Sequence, residues 1–281
     1  MVYRRTAVGG NFKTMELTVI ISYYKAMDNL RLILMALGRQ SYKNFKVIIS
    51  EDDNNEETKE FLMATKDLFD YPITHIFQKE NKGFRKNEML NRSIIHSKTE
   101  KLVFIDGDCI PHKHFVKNYI NSLEEGYIFE GRAVLLDKKT SEQAKKEQSL
   151  KKIHFFRLLF TGSKKIKDGI YLRCFSLSYK MKGRGLVGRN WGIYKKSLIE
   201  VNGFDMDYIH ACVGEDVDIE WRLKANGIKS KSIKNKAIVY HLFHPKCYSG
   251  EMVRFNYELL YKKQKANNIR CLNGLKTILV T

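Results

Sequence analysis

Two aspartates separated by one glycine, Asp106 and Asp108, follow an apolar run at residues 101–105. Carboxylates this close together at the end of a buried strand repel each other unless a cation lies between them and a ligand. Hard oxygen ligands suit Mg²⁺ or Mn²⁺, and such an ion commonly bridges two phosphates where a nucleoside diphosphate must leave. The pair therefore predicts a site for Mn²⁺ or Mg²⁺, with an Asp-Gly turn as the alternative interpretation.

A second acidic cluster, with Glu215, Asp216 and Asp218, stands at the start of a helical pattern over residues 215–225. A carboxylate at the N-terminal edge of a helix that faces a cleft is well placed to take a proton from an attacking hydroxyl group. Helix capping is the alternative, because acidic side chains stabilise helix N-termini. Capping accounts for one carboxylate and not for three.

His241 and His244 follow a strand-like run at residues 237–240. Histidine is a common ligand of borderline metals, and one imidazole beside two carboxylates would favour Mn²⁺. A pair of histidines is more often structural or simply exposed. The pattern alone leaves open which of the two would be the metal ligand.

Short apolar, β-branched runs alternate with segments of helical periodicity in the first part of the chain. Strands are predicted at 17–22, 45–50, 73–78 and 101–105, and helices at 29–37, 57–69 and 86–95. This alternation predicts an α/β fold with a Rossmann-like, mostly parallel sheet flanked by helices. Ligands bind outside the carboxyl ends of the strands in such sheets, so Glu51-Asp52 and Asp106-Asp108 are expected to line one crevice.

We expect a single domain, since no internal repeat and no linker rich in Pro, Gly or Ser divides the chain. The expected parts are an N-terminal extension (1–16), the domain itself (17–245), and a C-terminal helix with a basic tail (246–281). Within the domain we expect a nucleotide-binding half (17–110) and an acceptor and metal half (111–245). The second half contains a basic, irregular excursion at 138–182.

The chain carries 50 Lys and Arg against 31 Asp and Glu, a formal net charge of +19. This excess favours anionic partners, such as nucleic acid, anionic lipid or a phosphorylated substrate, and a solvated lysine-rich surface is the alternative. A nucleic-acid-binding protein would show an RNP, zinc or helix-turn-helix signature, and none is visible. We therefore expect no nucleic acid partner.

Five cysteines without a CxxC pair are typical of a reducing compartment. The N-terminus has no apolar segment of the secretory type, and no run of about 18 apolar residues appears. We therefore expect a cytoplasmic protein. Each Lys or Arg near an anionic membrane contributes about 1 kcal/mol of attraction, so the range 138–182 predicts peripheral docking on the inner face of the plasma membrane. The alternatives are a solvated surface and an acceptor groove for an acidic polysaccharide, and charge alone does not separate the three.

Several motifs stand in a defined order along the chain. They are Glu51-Asp52, Asn81-Lys82-Gly83 with Arg85, Lys86 and Asn87, Asp106-Gly107-Asp108, VNGFD at 201–205, and Gly214-Glu215-Asp216. In this order they resemble family 2 glycosyltransferases with the GT-A fold, over roughly residues 17–244. Residues 190–227 are especially similar to the C-terminal half shared by bacterial capsule-polymer synthases and animal galactosyltransferases.

The resemblance implies a role for each matching residue. Asp106 and Asp108 match the Asp-X-Asp pair, which in such enzymes binds the donor's ribose and the diphosphate-bound metal. His241 matches the histidine that often completes the metal site, so the implied metal set is Asp106, Asp108 and His241. Asp216 matches the catalytic base, and Glu215 matches the residue that binds the acceptor.

Further donor contacts are expected at the strand ends and on the loop after the third strand. Glu51 falls where the family usually has the first Asp of an Asp-Asp-Gly-Ser stretch, which contacts the nucleotide base, and the change to Glu leaves the base identity open. Lys82, Arg85 and Lys86 offer cationic groups to a diphosphate or a base. Trp191 offers a ring for stacking on a sugar. The predicted donor contacts are Glu51, Asp52, Lys82, Arg85, Lys86, Asp106 and Trp191.

The sequence thus predicts a metal-dependent, inverting glycosyltransferase that uses a nucleotide-diphospho-sugar, with UDP-sugars favoured. The expected acceptor is a glycan or a lipid-linked sugar of surface polysaccharide biosynthesis. A nucleotidyltransferase is an alternative, but it would normally show a Gly-rich loop after the first strand, where this chain reads SYYK at 22–25. A basic nucleic-acid-binding protein is the other alternative.

Overall fold

The computed structural model describes residues 16–173, 179–180, 185–245 and 248–280. Its first part alternates strands and helices as the periodicity predicts. The elements are β1 (Leu17–Tyr23), α1 (Met27–Gly38), β2 (Phe45–Glu51), α2 (Glu56–Ala64), β3 (Ile73–Phe77), α3 (Lys86–His96), β4 (Lys101–Asp106), β5 (Cys109–Pro111), α4 (Phe115–Ser122), β6 (Tyr127–Glu130) and β7 (Arg132–Leu135).

The second part is mostly helical around three further pairing strands and one short edge strand. The elements are α5 (Lys138–Glu147), α6 (Phe155–Leu158), β8 (Tyr179–Lys180), β9 (Asn190–Tyr194), α7 (Lys195–Glu200), α8 (Ile219–Ala225), β10 (Lys229–Ser232), β11 (Ile238–His241), α9 (Gly250–Lys265) and α10 (Leu275–Val280). None of the helices in the described part of the chain has both the length and the apolar character that crossing a membrane requires.

The strands form two sheets. The larger has the order β3-β2-β1-β4-β9-β6-β10-β8, and the smaller has the order β5-β11-β7. In the larger sheet β3, β2, β1 and β4 run parallel, and β9 is antiparallel to both β4 and β6. The parallel strands therefore end together along one edge of the sheet, as the sequence predicts for the acidic clusters.

The central strand β1 is a nearly continuous apolar run because both faces of the sheet are covered. Val19 packs in one core with Leu30 of α1, whereas the next residue, Ile20, packs in a second core with Leu90 of α3. This change of side at successive residues is the strand period of two. Burial on both faces fixes the register of β1 and so fixes where its neighbours end.

Two expectations for the later chain need correction. The basic range 138–182 was expected to be irregular, but its described part contains α5, whose N-terminus is capped by Asp137 through a bond from the Thr140 amide. The residues after α9 were expected to trail away as a tail. Instead Leu275 of α10 is buried in the core that contains Leu90, because the segment folds back across α3.

Candidate active site

The carboxyl ends of β1, β2 and β4 place three segments side by side. Tyr23 of β1 is paired with Glu51 of β2, and Ser22 is paired with Asp106 of β4. Only glycine fits after Asp106, because a Cβ atom on Gly107 would lie 2.7 Å from the carbonyl oxygen of Ser22. The turn that separates the two aspartates is therefore packed directly against the end of β1.

Asp108 lies in a cluster with two histidines. A carboxylate oxygen of Asp108 is 3.4 Å from Nε2 of His241 and 3.1 Å from Nε2 of His244. One ligand atom from each of the three side chains lies within 4.8 Å of the others, which is close enough for a single ion. The cluster arises because β11 pairs with β5, so that His241 is opposite Cys109 and the Leu242 amide donates to the Asp108 carbonyl at 2.8 Å.

The electrostatics of this cluster favour an ionised Asp108. Burial opposes ionisation, but the hydrogen bond from His244 and the nearby imidazoles outweigh it and lower the pKa of Asp108. The same hydrogen bond raises the pKa of His244 to about 8, whereas burial lowers the pKa of His241. One carboxylate and two imidazoles form a donor set that fits Mn²⁺.

Asp106 lies outside this group of three, and its implied place among the metal ligands stays a prediction. Its carboxylate is 3.0 Å from Nζ of Lys86, and the same Nζ is 3.8 Å from Glu215. Burial would lower the pKa of Lys86, but the charges of Asp106 and Glu215 outweigh it and raise that pKa. Lys86 is therefore a permanent cation that links the end of β4 to the second acidic cluster.

The second acidic cluster begins in a strained turn. Cys212 and Val213 have φ angles of 73° and 70°, which non-glycine residues rarely adopt. Residues Gly214–Asp218 then form a π-helical turn before α8 begins. A Cβ atom on Gly214 would lie 2.5 Å from the side chain of Tyr208, so only glycine fits between the strained residues and the acidic pair.

Glu215 and Asp216 present carboxylates with different surroundings. Glu215 accepts a hydrogen bond from the Cys212 amide with one oxygen, and its other oxygen is buried without a hydrogen-bond partner among the described residues. Asp216 accepts from the Val217 amide at 2.7 Å. Burial, reinforced by the charge of Glu215, raises the pKa of Asp216 to about 6. A carboxylate with this pKa is matched to accepting a proton near neutral pH.

Helix α9 supports the strained turn at Cys212 and Val213 through hydrogen bonds. The side-chain amide of Asn256, which is fully buried, donates to the carbonyls of His210, Ala211 and Cys212 at 3.0, 3.1 and 2.6 Å. Two of these carbonyls precede the strained residues, and the third belongs to Cys212 itself. Asn256 is therefore a positioning residue for the acidic pair, and it was missed from the sequence because a lone Asn in an amphipathic helix carries no signal of its partners.

We expect Asn256→Ala to lower kcat with little change in KM for the donor, because the acidic pair would lose its support while the strand ends stay intact. Leaving buried carbonyls unpaired should also lower the free energy of unfolding by about 1–3 kcal/mol. Urea unfolding and steady-state kinetics measure the two effects. Gln264→Ala, on the same helix, is the matched control and should be within about 0.5 kcal/mol of the parent chain; equal losses in both variants would contradict the assignment.

The loop after β3 is organised by Asp52. Its carboxylate accepts from the Arg85 amide at 2.9 and 3.1 Å and from the side chain of Gln78 at 2.7 Å. Burial raises the pKa of Asp52 to about 6. Asp52 was expected to contact the donor, but its carboxylate already accepts hydrogen bonds from Gln78 and Arg85 of the loop. Lys82 is exposed on this loop and the Arg85 side chain is half-buried, so both remain candidates for donor contacts.

Two further residues that were expected to contact the donor are buried. Glu51 is 0% exposed, and its oxygens are engaged by the hydroxyl of Thr58 at 3.0 Å and by Nε2 of His75 at 2.7 Å. Trp191 is 1% exposed and stacks on Phe104 at 4.5 Å between ring centroids. In this structure the protein itself covers both side chains, so a donor contact at either residue would require the covering side chains to move.

These observations define an α/β protein with acidic and histidine side chains gathered at the strand ends, which is the arrangement of GT-A glycosyltransferases. The model of the family described as "Glycosyltransferase like family 2" matches residues 15–254. The chain belongs to this family, and the predictions of the family and of the fold are confirmed.

One curated relative is the bifunctional glycosyltransferase pgtA of Dictyostelium discoideum, which is 30% identical over 104 residues, or 36% of this chain and 13% of pgtA. Among solved structures, the mannosyltransferase PcManGT of Pyrobaculum calidifontis in complex with GDP-Man and Mn²⁺ has a TM-score of 0.56 and 15% identity, over 92% of this chain and 65% of that one.

GalNAc-T7 with UDP, GalNAc and Mn²⁺ has a TM-score of 0.58 and 12% identity, over 93% of this chain and 55% of that one. Residues 1–349 of S. aureus TarS in complex with UDP have a TM-score of 0.54 and 14% identity, over 88% of this chain and 65% of that one. This chain thus spans less than two thirds of the length of each of these proteins. At these identities the structures establish a shared fold.

Proposed function

We propose that this chain transfers a sugar from a nucleotide-diphospho-sugar to an acceptor hydroxyl group by a single inverting displacement. The observation that carries the proposal is the position of Lys86, whose ammonium group joins Asp106 at the end of β4 to Glu215 in the acidic turn. A predicted donor site and a predicted acceptor site are thereby adjacent. Family membership and the nucleotide complexes of the similar structures support a nucleotide-sugar donor.

In this mechanism Asp216 accepts the proton of the acceptor hydroxyl as its oxygen attacks the anomeric carbon. The bond from that carbon to the diphosphate oxygen breaks, and the nucleoside diphosphate leaves with the electron pair. Glu215, whose side chain is partly exposed beside Lys86, orients the acceptor through a hydrogen bond from one of the acceptor's hydroxyl groups. Lys86 holds positive charge beside the departing diphosphate.

Asp108, His241 and His244 would hold Mn²⁺ or Mg²⁺, and the complexes of PcManGT and GalNAc-T7 with Mn²⁺ support this assignment. When bound there, the ion would neutralise negative charge on the diphosphate. Asp106 is proposed to contact the ribose through the oxygen that Lys86 does not engage.

Donor binding can be tested without knowledge of the acceptor. We expect the nucleoside diphosphate of the true donor to raise the thermal unfolding midpoint in the presence of Mn²⁺, because a ligand that binds only the folded state stabilises it. UDP, GDP and dTDP should be compared at equal concentration, each with Mn²⁺ and with a chelator. We expect UDP to give the largest shift and chelator to remove it; three equal shifts that are insensitive to chelator would contradict a metal-dependent nucleotide site.

The acceptor and the location are further parts of the proposal. We propose a glycan or lipid-linked acceptor in surface polysaccharide synthesis, on the cytoplasmic side of the membrane. The support for this is the basic range 138–182, which would place the enzyme near an anionic surface on which a lipid-linked acceptor is carried.

A further inference from the structure

Three large apolar side chains project from the segment that contains α6. Phe156, Leu159 and Phe160 are 73%, 50% and 91% exposed, and we call them the apolar tip. The segment is nevertheless ordered around Leu158, which is fully buried in the core. Hydrogen bonds from the Phe160 amide to the Arg157 carbonyl and from the Thr161 amide to the Leu158 carbonyl close the turn. This hydrogen-bonded turn therefore holds the apolar tip toward the solvent.

The chain on either side of the apolar tip is strongly cationic. Residues 138–173 contain eleven Lys and Arg and three Asp and Glu. All three acidic groups are already paired with lysines, Glu142 with Lys138, Glu147 with Lys152, and Asp168 with Lys234. The cations that remain at the surface of this region include Lys139, Lys146, Lys151, Arg157, Lys164 and Lys167.

A cavity of about 680 Å³ opens beside the tip and is lined mainly by apolar groups, including Ile153, Phe155 and Ile170. Arg39 and Lys113 also line it. The cavity reaches Tyr240, which precedes His241 in β11. Because successive strand residues point to opposite faces, the side chains of Tyr240 and His241 point to opposite faces of the small sheet.

We propose that this surface docks on an anionic lipid bilayer, with the apolar tip inserted below the headgroups and the surrounding cations paired with lipid phosphates. Apolar side chains that project from a cationic rim are the pattern of proteins that lie on a membrane without crossing it. A second copy of the chain fits the surface less well, since it would bring the same cations face to face. The cavity beside the tip is large enough to receive part of an acyl chain.

This docking rests on residues outside the proposed catalytic site, so it is tested without donor, metal or transfer. The full chain should be sedimented with vesicles of phosphatidylcholine alone and with vesicles that also contain phosphatidylglycerol, at low and high salt. We expect binding only to the anionic vesicles and release by salt. The double variant Phe156→Ser with Phe160→Ser should bind at least about tenfold more weakly, given the area that two phenylalanines bury.

The matched control is Met63→Ser with Leu272→Ser, which removes two side chains that are 79% and 81% exposed elsewhere on the surface. Its vesicle binding should equal that of the parent chain. An unchanged thermal midpoint in the Phe156 and Phe160 variant excludes unfolding as the cause of weaker binding. Equal binding to neutral vesicles, or undiminished binding by this variant, would overturn the proposal, as would a concentration-dependent dimer that the variant abolishes.

Discussion

The Asp216→Asn variant is expected to bind nucleotide and metal like the parent chain while kcat falls by about 10²–10⁴-fold. Asn has the shape of Asp but cannot accept the proton of the acceptor hydroxyl, and losses of this size are typical when a general base is removed. Donor affinity from calorimetry and turnover with a saturating donor separate the two effects. An equal loss in affinity and turnover would identify Asp216 as a donor ligand or a helix cap instead.

The pH dependence gives an independent check on Asp216. Its pKa in the folded chain is raised to about 6 by burial and by Glu215, so kcat/KM of the parent enzyme should fall as the pH drops below about 6. A carboxyl group whose pKa is raised by folding destabilises the folded state once it is ionised. Asp216→Asn should therefore be at least as stable as the parent chain near neutral pH, and a clear drop in its thermal midpoint would argue for a structural role.

The Asp108→Ala variant is expected to lose metal-dependent nucleotide binding and with it nearly all transfer. The reason is geometric, since Asp108 is the carboxylate that both His241 and His244 approach. Binding of Mn²⁺ can be followed by calorimetry with and without UDP. Unchanged turnover in this variant, or full activity of the parent chain in excess chelator, would refute the metal assignment.

Two further comparisons accompany the Asp108→Ala experiment, a control carboxylate and the two histidines. Asp70→Ala removes an exposed carboxylate that pairs with Lys43 far along the chain from the cluster, and it should leave metal binding unchanged. His241→Ala and His244→Ala test the two imidazoles separately, because the sequence did not decide between them and the structure places both beside Asp108. If both histidines are ligands, each single variant should weaken Mn²⁺ binding.

The strands and helices of the first part of the chain could be predicted closely because each element carries its own periodic signal. The strand expected at 17–22 is Leu17–Tyr23 and the helix expected at 86–95 is Lys86–His96. The helix expected at 57–69 ends earlier, at Ala64, and a short 3₁₀ turn at Lys66–Leu68 follows. Alternation of these elements was enough to place the acidic clusters at one edge of the sheet.

The site was predicted less completely because its contacts depend on residues distant in sequence. Asp106 and Asp108 are separated by a single glycine, yet Asp106 contacts Lys86 and Asp108 contacts His241 of β11, and nothing in the local sequence distinguishes them. Glu51 matched a ligand position by motif, but His75 covers it from the neighbouring strand. Trp191 points into the core because side chains alternate between the two faces of a strand. Phe104 stacks on the ring face of Trp191 that a sugar would need.

The support that Asn256 gives to the acidic turn also sets an order of events during synthesis. Chains begin to fold from the N-terminus as they leave the ribosome, and Asn256 is made 40 residues after Asp216. A nascent chain that has emerged only as far as β11 would already contain the strands of the proposed donor site, while the strained turn would still lack its three hydrogen bonds from α9. The proposed donor site should therefore form before the proposed catalytic turn is supported, so that an incomplete chain would bind a nucleotide sugar without transferring it.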